Sequence, residues 1–221
     1  MILAAGRGER MRPLTDLTPK PLLNVAGKAL IEYSLENLAA AGFVDIVINV
    51  AYLGQQIMDY CGDGSRWGVT IQYSDEAATA LETAGGIAKA LPLLGEQPFL
   101  VVNADIVCDY PLAELRNKTI DLAHLVLVDN PSHHPQGDFA LSDNGLLSEQ
   151  GGHKLTFSGI GIYHPALFAD VKVDQPLKLK PILSQAMCQG KVSGECFDGL
   201  WLDIGTPQRL KEVADCLTLP V

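Results

Sequence analysis

Along the chain, short β-branched and aliphatic runs alternate with stretches of helical spacing. Residues 1–4 predict a first strand that starts almost with the chain itself. Apolar side chains at Leu30, Ile31, Leu35 and Leu38 predict a helix over 29–41, stopped by Gly42. Residues 45–50 predict a strand, 55–60 a short helix and 69–73 another strand. A helix is expected over 83–91 and expected to end at Pro92, because proline has no N–H to give and crowds the preceding turn. The unbroken apolar run 99–103 is the pattern of a strand covered on both faces. After it come a helix around 112–116, strands at 122–128, 155–163 and 192–197, and helices at 181–189 and 207–216.

This order predicts an α/β fold: a Rossmann-like, mostly parallel central sheet with helices on both faces. Residues 130–154 depart from it. They are rich in Pro, Gly, His, Ser and Asp and read as loops with short antiparallel pieces. No internal repeat, low-complexity tract or linker interrupts the chain. A single domain over 1–221 is expected, with 130–160 as a small antiparallel insertion or lid.

Composition narrows the picture. With 48% hydrophobic and 19% charged residues, the chain is neither disordered nor collagen-like. No apolar run approaches the roughly 20 residues of a membrane span, and no charged segment leads into an apolar one at the start, so neither a membrane anchor nor a signal peptide is expected. The cysteines Cys61, Cys108, Cys188, Cys196 and Cys216 stand singly, without a C-x-x-C pair. Their odd number predicts reduced, mostly buried thiols and a cytoplasmic location. A formal charge of −10 argues against holding a nucleic-acid backbone. The first 28 residues run the other way: Arg7, Arg10, Arg12, Lys20 and Lys28 face only Glu9 and Asp16. A basic segment in an acidic chain points to a small anion held locally.

That segment carries the chemistry. A strand ends in Ala4-Ala5-Gly6, and Arg7 and Gly8 open a long basic loop running to Leu22. Glycines there let backbone N–H groups approach an anion closely. The loop is not a dinucleotide fingerprint, since Met11 stands where the third glycine would be. It is not a Walker loop either, since no G-K-[ST] follows. Asp105 lies just past the apolar strand 99–103, at its carboxyl end, where open α/β sheets bind ligands. Asp203 precedes Gly205 and the last helix. His133 and His134 have no third ligand at a suitable spacing, and neither H-E-x-x-H nor G-x-S-x-G occurs.

The string GRGERMRPLTDLTPKPL resembles the signature of sugar-1-phosphate nucleotidyltransferases, and the likeness continues through LETAGGI, the strand end NAD, SGIGIY and WLDIGT. The resemblance implies the nucleotide-diphospho-sugar transferase fold and a reaction between a nucleoside triphosphate and a sugar 1-phosphate. It implies Arg10 at the triphosphate and Lys20 at the reacting phosphate, with Asp105 and Asp203 holding Mg²⁺. Ala4, Ala5, Gly6, Arg7, Gly8, Glu82 and Gly85 would contact the nucleotide. Asn103, Gly137, Asp138, Ser158 and Gly159 would serve the sugar phosphate. The E-K-P lysine of many relatives is missing from the stretch 148–154, which reads SEQGGHK, so Lys178 or Lys154 is the candidate in its place.

Attack at the α-phosphorus would be direct and in-line, needing charge neutralisation rather than a general base. Within the family, HLVLVDNPSHHPQGDF, LTFSGIGIYHPALF and KVSGE look most like uridylyltransferases of N-acetylmuramate 1-phosphate in cell-wall recycling, with guanylyl transfer to mannose 1-phosphate or nucleotidyl transfer to glucose 1-phosphate as alternatives. The C-terminal β-helix domain of acetylating relatives is not expected. A nucleotide-sugar sensor without catalysis is the alternative of another class. The protein is expected to act as a monomer, with a weak homo-oligomer as the alternative, and without nucleic-acid or membrane partners.

Overall fold

The computed structural model describes residues 1–77 and 80–218. In chain order the strands and α-helices are β1 (Ile2–Leu3), β2 (Asn24–Val25), β3 (Lys28–Ala29), α1 (Leu30–Ala40), β4 (Asp45–Val50), α2 (Gly54–Cys61), β5 (Thr70–Asp75), α3 (Glu82–Leu94), β6 (Phe99–Asn103), β7 (Ile106–Cys108), β8 (Ala123–Val128), β9 (Ala140–Leu141), β10 (Leu147–Ser148), β11 (Thr156–Tyr163), α4 (Leu179–Cys188), β12 (Val192–Phe197), β13 (Trp201–Asp203) and α5 (Pro207–Thr218). Two compact units are formed. One comprises Met1–Ala80, Asn103–Ala113 and Leu200–Val221; the other comprises Leu81–Val102 and Glu114–Gly199.

In the first unit β1, β4 and β5 pair in parallel, with Ile2 opposite Ile48 and Ile48 opposite Tyr73. Beside them, β7 and β13 form a short antiparallel ribbon. A core cluster of Met11, Leu23, Val25, Leu30, Val107, Ile204 and Val213 ties the basic loop to this ribbon and to α5. Met11 is therefore an anchor. At the position where a third glycine would bring the backbone against a cofactor, a fully buried side chain fixes the loop instead. Helix α1 begins where the Glu32 carboxylate accepts the Ala29 N–H at 3.1 Å, satisfying one of the unpaired donors of a helix start.

In the second unit β12 and β8 are parallel, and β11 runs antiparallel to both β8 and β6. Counted with the parallel pairs β1–β4 and β4–β5 of the first unit, the pairing of the long strands is mostly parallel, as the alternation of strands and helices predicts, and β11 makes both antiparallel pairs. Gly159, at φ 84°, lies in a break of register between Phe157 and Ile160, a bulge that suits glycine. Of the stretch expected to be an insertion, residues 156–160 open β11. The 140–148 hairpin is tied to β12 by the Gly194 N–H to the Gly145 carbonyl at 2.9 Å.

Four expectations need correction. Of the cysteines expected to be mostly buried, Cys61 and Cys108 are, whereas Cys188, Cys196 and Cys216 stand at solvent-facing positions at the end of α4, in β12 and in α5. Helix α3 passes through Pro92 to Leu94. A proline in the last turn forfeits only one hydrogen bond, and the Gly95 N–H closes the end on the Leu91 carbonyl at 3.0 Å. Residues 112–115 form a 3-10 turn rather than an α-helix. The ribbon β7–β13 and the pair β2–β3 have no expected counterpart, because two or three residues are too few to show alternation.

Candidate active site

Arg10, Lys20, Asp105 and Asp203, the groups that the resemblance assigns to the triphosphate and to a metal, all lie in the first unit. The backbone sets them out. Ala4 and Ala5 are buried, and the Ala4 N–H is committed to Asn49 Oδ1 at 2.8 Å, itself steadied by Glu76 through Asn49 Nδ2. The chain emerges at Gly6, where an added Cβ would meet nothing within 4 Å. Arg7 pairs with Glu9 and stacks over the Tyr52 ring at 4.5 Å. Gly8 takes φ 68°, and a Cβ there would lie 3.1 Å from both Lys20 Cβ and Thr15 Cγ2. Its carbonyl accepts the Thr15 hydroxyl at 2.9 Å and the Met11 N–H at 2.9 Å. The loop thus folds back on itself and lays Lys20 against its own glycine. Tyr52 and Gln56 hold its far end through the carbonyls of Asp16 and Leu17.

Lys20 is 11% exposed in its side chain, and its ammonium pairs with the Asp105 carboxylate. Asp105 sits in the turn between β6 and β7, beside Asn103, whose carbonyl accepts the Ser34 hydroxyl at 3.5 Å. Across the ribbon Asp203 stands opposite Ile106, and the Ile204 N–H bonds the Asp105 carbonyl at 2.9 Å. The two aspartates are therefore close along the backbone, Asp105 in the turn and Asp203 at the end of the facing strand, one register position apart. Arg10 is exposed, and one of its terminal nitrogens would lie 3.3 Å from a Cβ on Gly205. Cys108 in β7 is buried, and burial pushes its thiol up to about 11, so it is protonated and unreactive near neutrality.

Sequence reasoning missed Arg209. It occupies the first turn of α5, its guanidinium pairs with the Asp203 carboxylate, and it contacts Gly205. A signal was available. Cations are disfavoured at the positive end of a helix dipole, so an arginine two residues after Pro207 needs an anion nearby.

The remaining candidates lie in the second unit. Glu82 is exposed and takes φ 58°. Gly85 is buried, and a Cβ there would meet the Gln175 carbonyl at 2.5 Å. The Leu177 carbonyl accepts the N–H groups of Ala84 and Gly85, and Lys178 follows at the head of α4. The structure thus brings Glu82, Gly85 and exposed Lys178 to one junction, where glycine lets two backbones touch.

Elsewhere in this unit, Gly137 at φ 61° abuts Asn130 and Lys154. The Asp138 carboxylate accepts the Phe157 N–H at 2.9 Å and faces His134 Nε2 at 3.2 Å. Ser158 is buried; its hydroxyl donates to the Val126 carbonyl at 2.7 Å and accepts the Ile160 N–H at 3.2 Å, closing the bulge at Gly159. Asp138 and Ser158 are thus engaged in shaping the backbone around β11.

A family model described as Nucleotidyl transferase matches residues 1–143. An N-acetylmuramate alpha-1-phosphate uridylyltransferase of Neisseria meningitidis is 57% identical over 96% of this chain and 95% of its own. A protein of the same description from Caulobacter vibrioides is 37% identical over 94% and 92%. Among solved structures, a candidate glucose-1-phosphate thymidylyltransferase from Bacillus anthracis, crystallised with sucrose, superposes with a TM-score of 0.84 at 20% identity, covering 100% of this chain and 95% of that one; at that identity the likeness speaks for the fold.

Proposed function

The chain belongs to the nucleotidyl transferase family, and on that premise we propose that it is an enzyme transferring a uridylyl group from UTP to N-acetylmuramate 1-phosphate, with UDP-N-acetylmuramate and pyrophosphate as products. The observation that carries the reaction class is the convergence of Lys20, Asp105, Asp203 and Arg10 around one ribbon. The sugar and the base rest on the two uridylyltransferase relatives. Action as a cytoplasmic monomer in peptidoglycan recycling completes the proposal.

A phosphate monoester oxygen is already a nucleophile at neutral pH, so the task of the protein is to bring two anions together and neutralise them. Arg10 at the rim of the loop would take the β- and γ-phosphates and favour departure of pyrophosphate. Lys20 is buried along its stem by the fold of the loop, which fixes where its charge can act, and would hold the α-phosphate oxygens as the sugar phosphate attacks in line. The open backbone at Gly6 would leave room for the nucleotide. Glu82 and Gly85 are proposed for its base; Asn103, Gly137, Asp138, Ser158, Gly159 and Lys178 are proposed for the sugar phosphate.

Asp105, from the turn before β7, and Asp203, from the end of β13, offer hard oxygen donors of the kind that suits Mg²⁺. Among the described residues no group of three or more His, Cys, Asp and Glu gathers, so an ion held by the two aspartates would have to take its other ligands from substrate phosphates and water. When bound, Mg²⁺ would supply charge neutralisation at the phosphates.

The test is pyrophosphate release with Mg²⁺ over a matrix of nucleoside triphosphates and sugar 1-phosphates. Release is expected with UTP and N-acetylmuramate 1-phosphate. Release confined to GTP with mannose 1-phosphate would overturn the substrate assignment, and no release with any pair would overturn the activity.

A further inference from the structure

Two guanidinium groups meet over one glycine. A Cβ placed on Gly205 would lie 3.1 Å from Arg209 Cζ and 3.3 Å from an Arg10 terminal nitrogen, so the two cations stand within the sum of those distances of each other. Like charges at that range repel, and Arg209 also stands at the unfavourable end of the α5 dipole. Its placement is held by Asp203, with which it pairs while keeping only 15% of its side chain exposed. Thr206 and Pro207 begin α5, and the Thr206 hydroxyl accepts the Arg209 N–H at 3.3 Å. The arginine is thereby locked to the same short segment, 203–209, that carries the aspartate.

We propose that Arg209 is a positioning residue: through its ion pair it fixes the Asp203 carboxylate in the orientation that receives the divalent ion, and the bare backbone at Gly205 makes room for it beside Arg10. The inference rests on the metal role given above to Asp203. One consequence separates orientation from charge. Deleting a cation beside a metal site, taken alone, strengthens metal binding by removing repulsion. Releasing the carboxylate to rotate weakens it.

The experiment is Mn²⁺ binding to the substrate-free protein, followed by electron paramagnetic resonance, for the parent, R209M, D203N and the double variant, with R209K as the conservative exchange. R209M is expected to bind Mn²⁺ several-fold more weakly, R209K to recover most of the affinity, and the double variant to match D203N. Tighter or unchanged binding in R209M overturns the proposal, as does a further loss when R209M is added to D203N. R209Q serves the same comparison should R209M not fold. The two readings fail differently: if D203N itself leaves Mn²⁺ affinity unchanged, the metal role of Asp203 falls and the positioning role with it, whereas an effective D203N beside a silent R209M removes the positioning role alone.

Discussion

Each unit contains a cluster of charged and titratable side chains, and the two are built differently. In the first, Lys20, Asp105, Asp203, Arg209 and Arg10 come from a loop, a turn, the end of a three-residue strand and the first turn of a helix. Cations outnumber carboxylates there by one, and glycine backbone lies open at Gly6. In the second, Lys118 and His124 meet Ser193 and Glu195. His124 lies directly opposite Ser193 on paired strands β8 and β12 and bonds it at 2.8 Å, while its other ring nitrogen faces Glu195 at 3.2 Å and Lys118 pairs with the same carboxylate.

The second cluster balances itself: one ammonium, one carboxylate and a histidine whose pKa burial and Lys118 push below the ordinary range, so that the ring stays neutral. His124, Ser193 and Glu195 sit on regular strands, and Lys118 reaches Glu195 from the connection that precedes β8. Titratable residues in contact thus do not by themselves make a site; surplus charge at the ends of elements, beside open backbone, distinguishes the first cluster.

The comparison breaks most visibly in rates. K20M and D105N are each expected to lower kcat by roughly 10²-fold or more, the scale of losing one preorganised charged group. K118M and E195Q should leave turnover near that of the parent. Comparable losses from both pairs, measured by pyrophosphate release, would erase the distinction.

G8A sharpens it without touching a charge. The residue must keep φ 68°, and its new Cβ presses on the stem of Lys20. An expected loss of about 10-fold in rate, with a cost on the order of 1 kcal/mol in stability, is checked by steady-state kinetics and denaturant unfolding.

In the second unit the effect should be one of stability alone. E195Q leaves Lys118 without its carboxylate and is expected to cost on the order of 1 kcal/mol in denaturant unfolding, with kcat and KM unmoved.

The smallest effect is a pH dependence. His124 is 4% exposed and is held neutral in the fold, whereas in the unfolded chain it takes up a proton near its ordinary pKa of about 6.5. The unfolded state binds more protons as pH falls below that value, so stability should decline from there until the folded pKa is passed. Unfolding midpoints measured between neutral and mildly acid pH should fall less steeply in H124Q than in the parent; an equal slope would remove His124 from the account.

Much of this was legible without coordinates. The basic loop can be read from local pattern because its charges are concentrated in one short string, whereas Lys20 and both aspartates are singled out by the resemblance of their strings to the family. Strands β4, β6 and β12 follow from runs of five or six residues, long enough for hydrophobic pattern to declare itself. Ribbon β7–β13 could not be read that way. Its pairing joins residues nearly a hundred positions apart, and three residues carry no periodicity. Yet that ribbon makes neighbours of Asp105 and Asp203.

The amino-acid sequence by itself determined the class of fold and the basic character of the loop, since hydrophobic spacing, glycine and net charge are local properties. Tertiary structure alone decided which carboxylate meets which cation. Lys20 reaches Asp105, and Arg209 reaches Asp203 past a glycine whose Cβ would meet the guanidinium groups of Arg209 and Arg10. Ion pairing depends on distance in space, and distance in space is fixed by the packing of elements that the chain order leaves far apart.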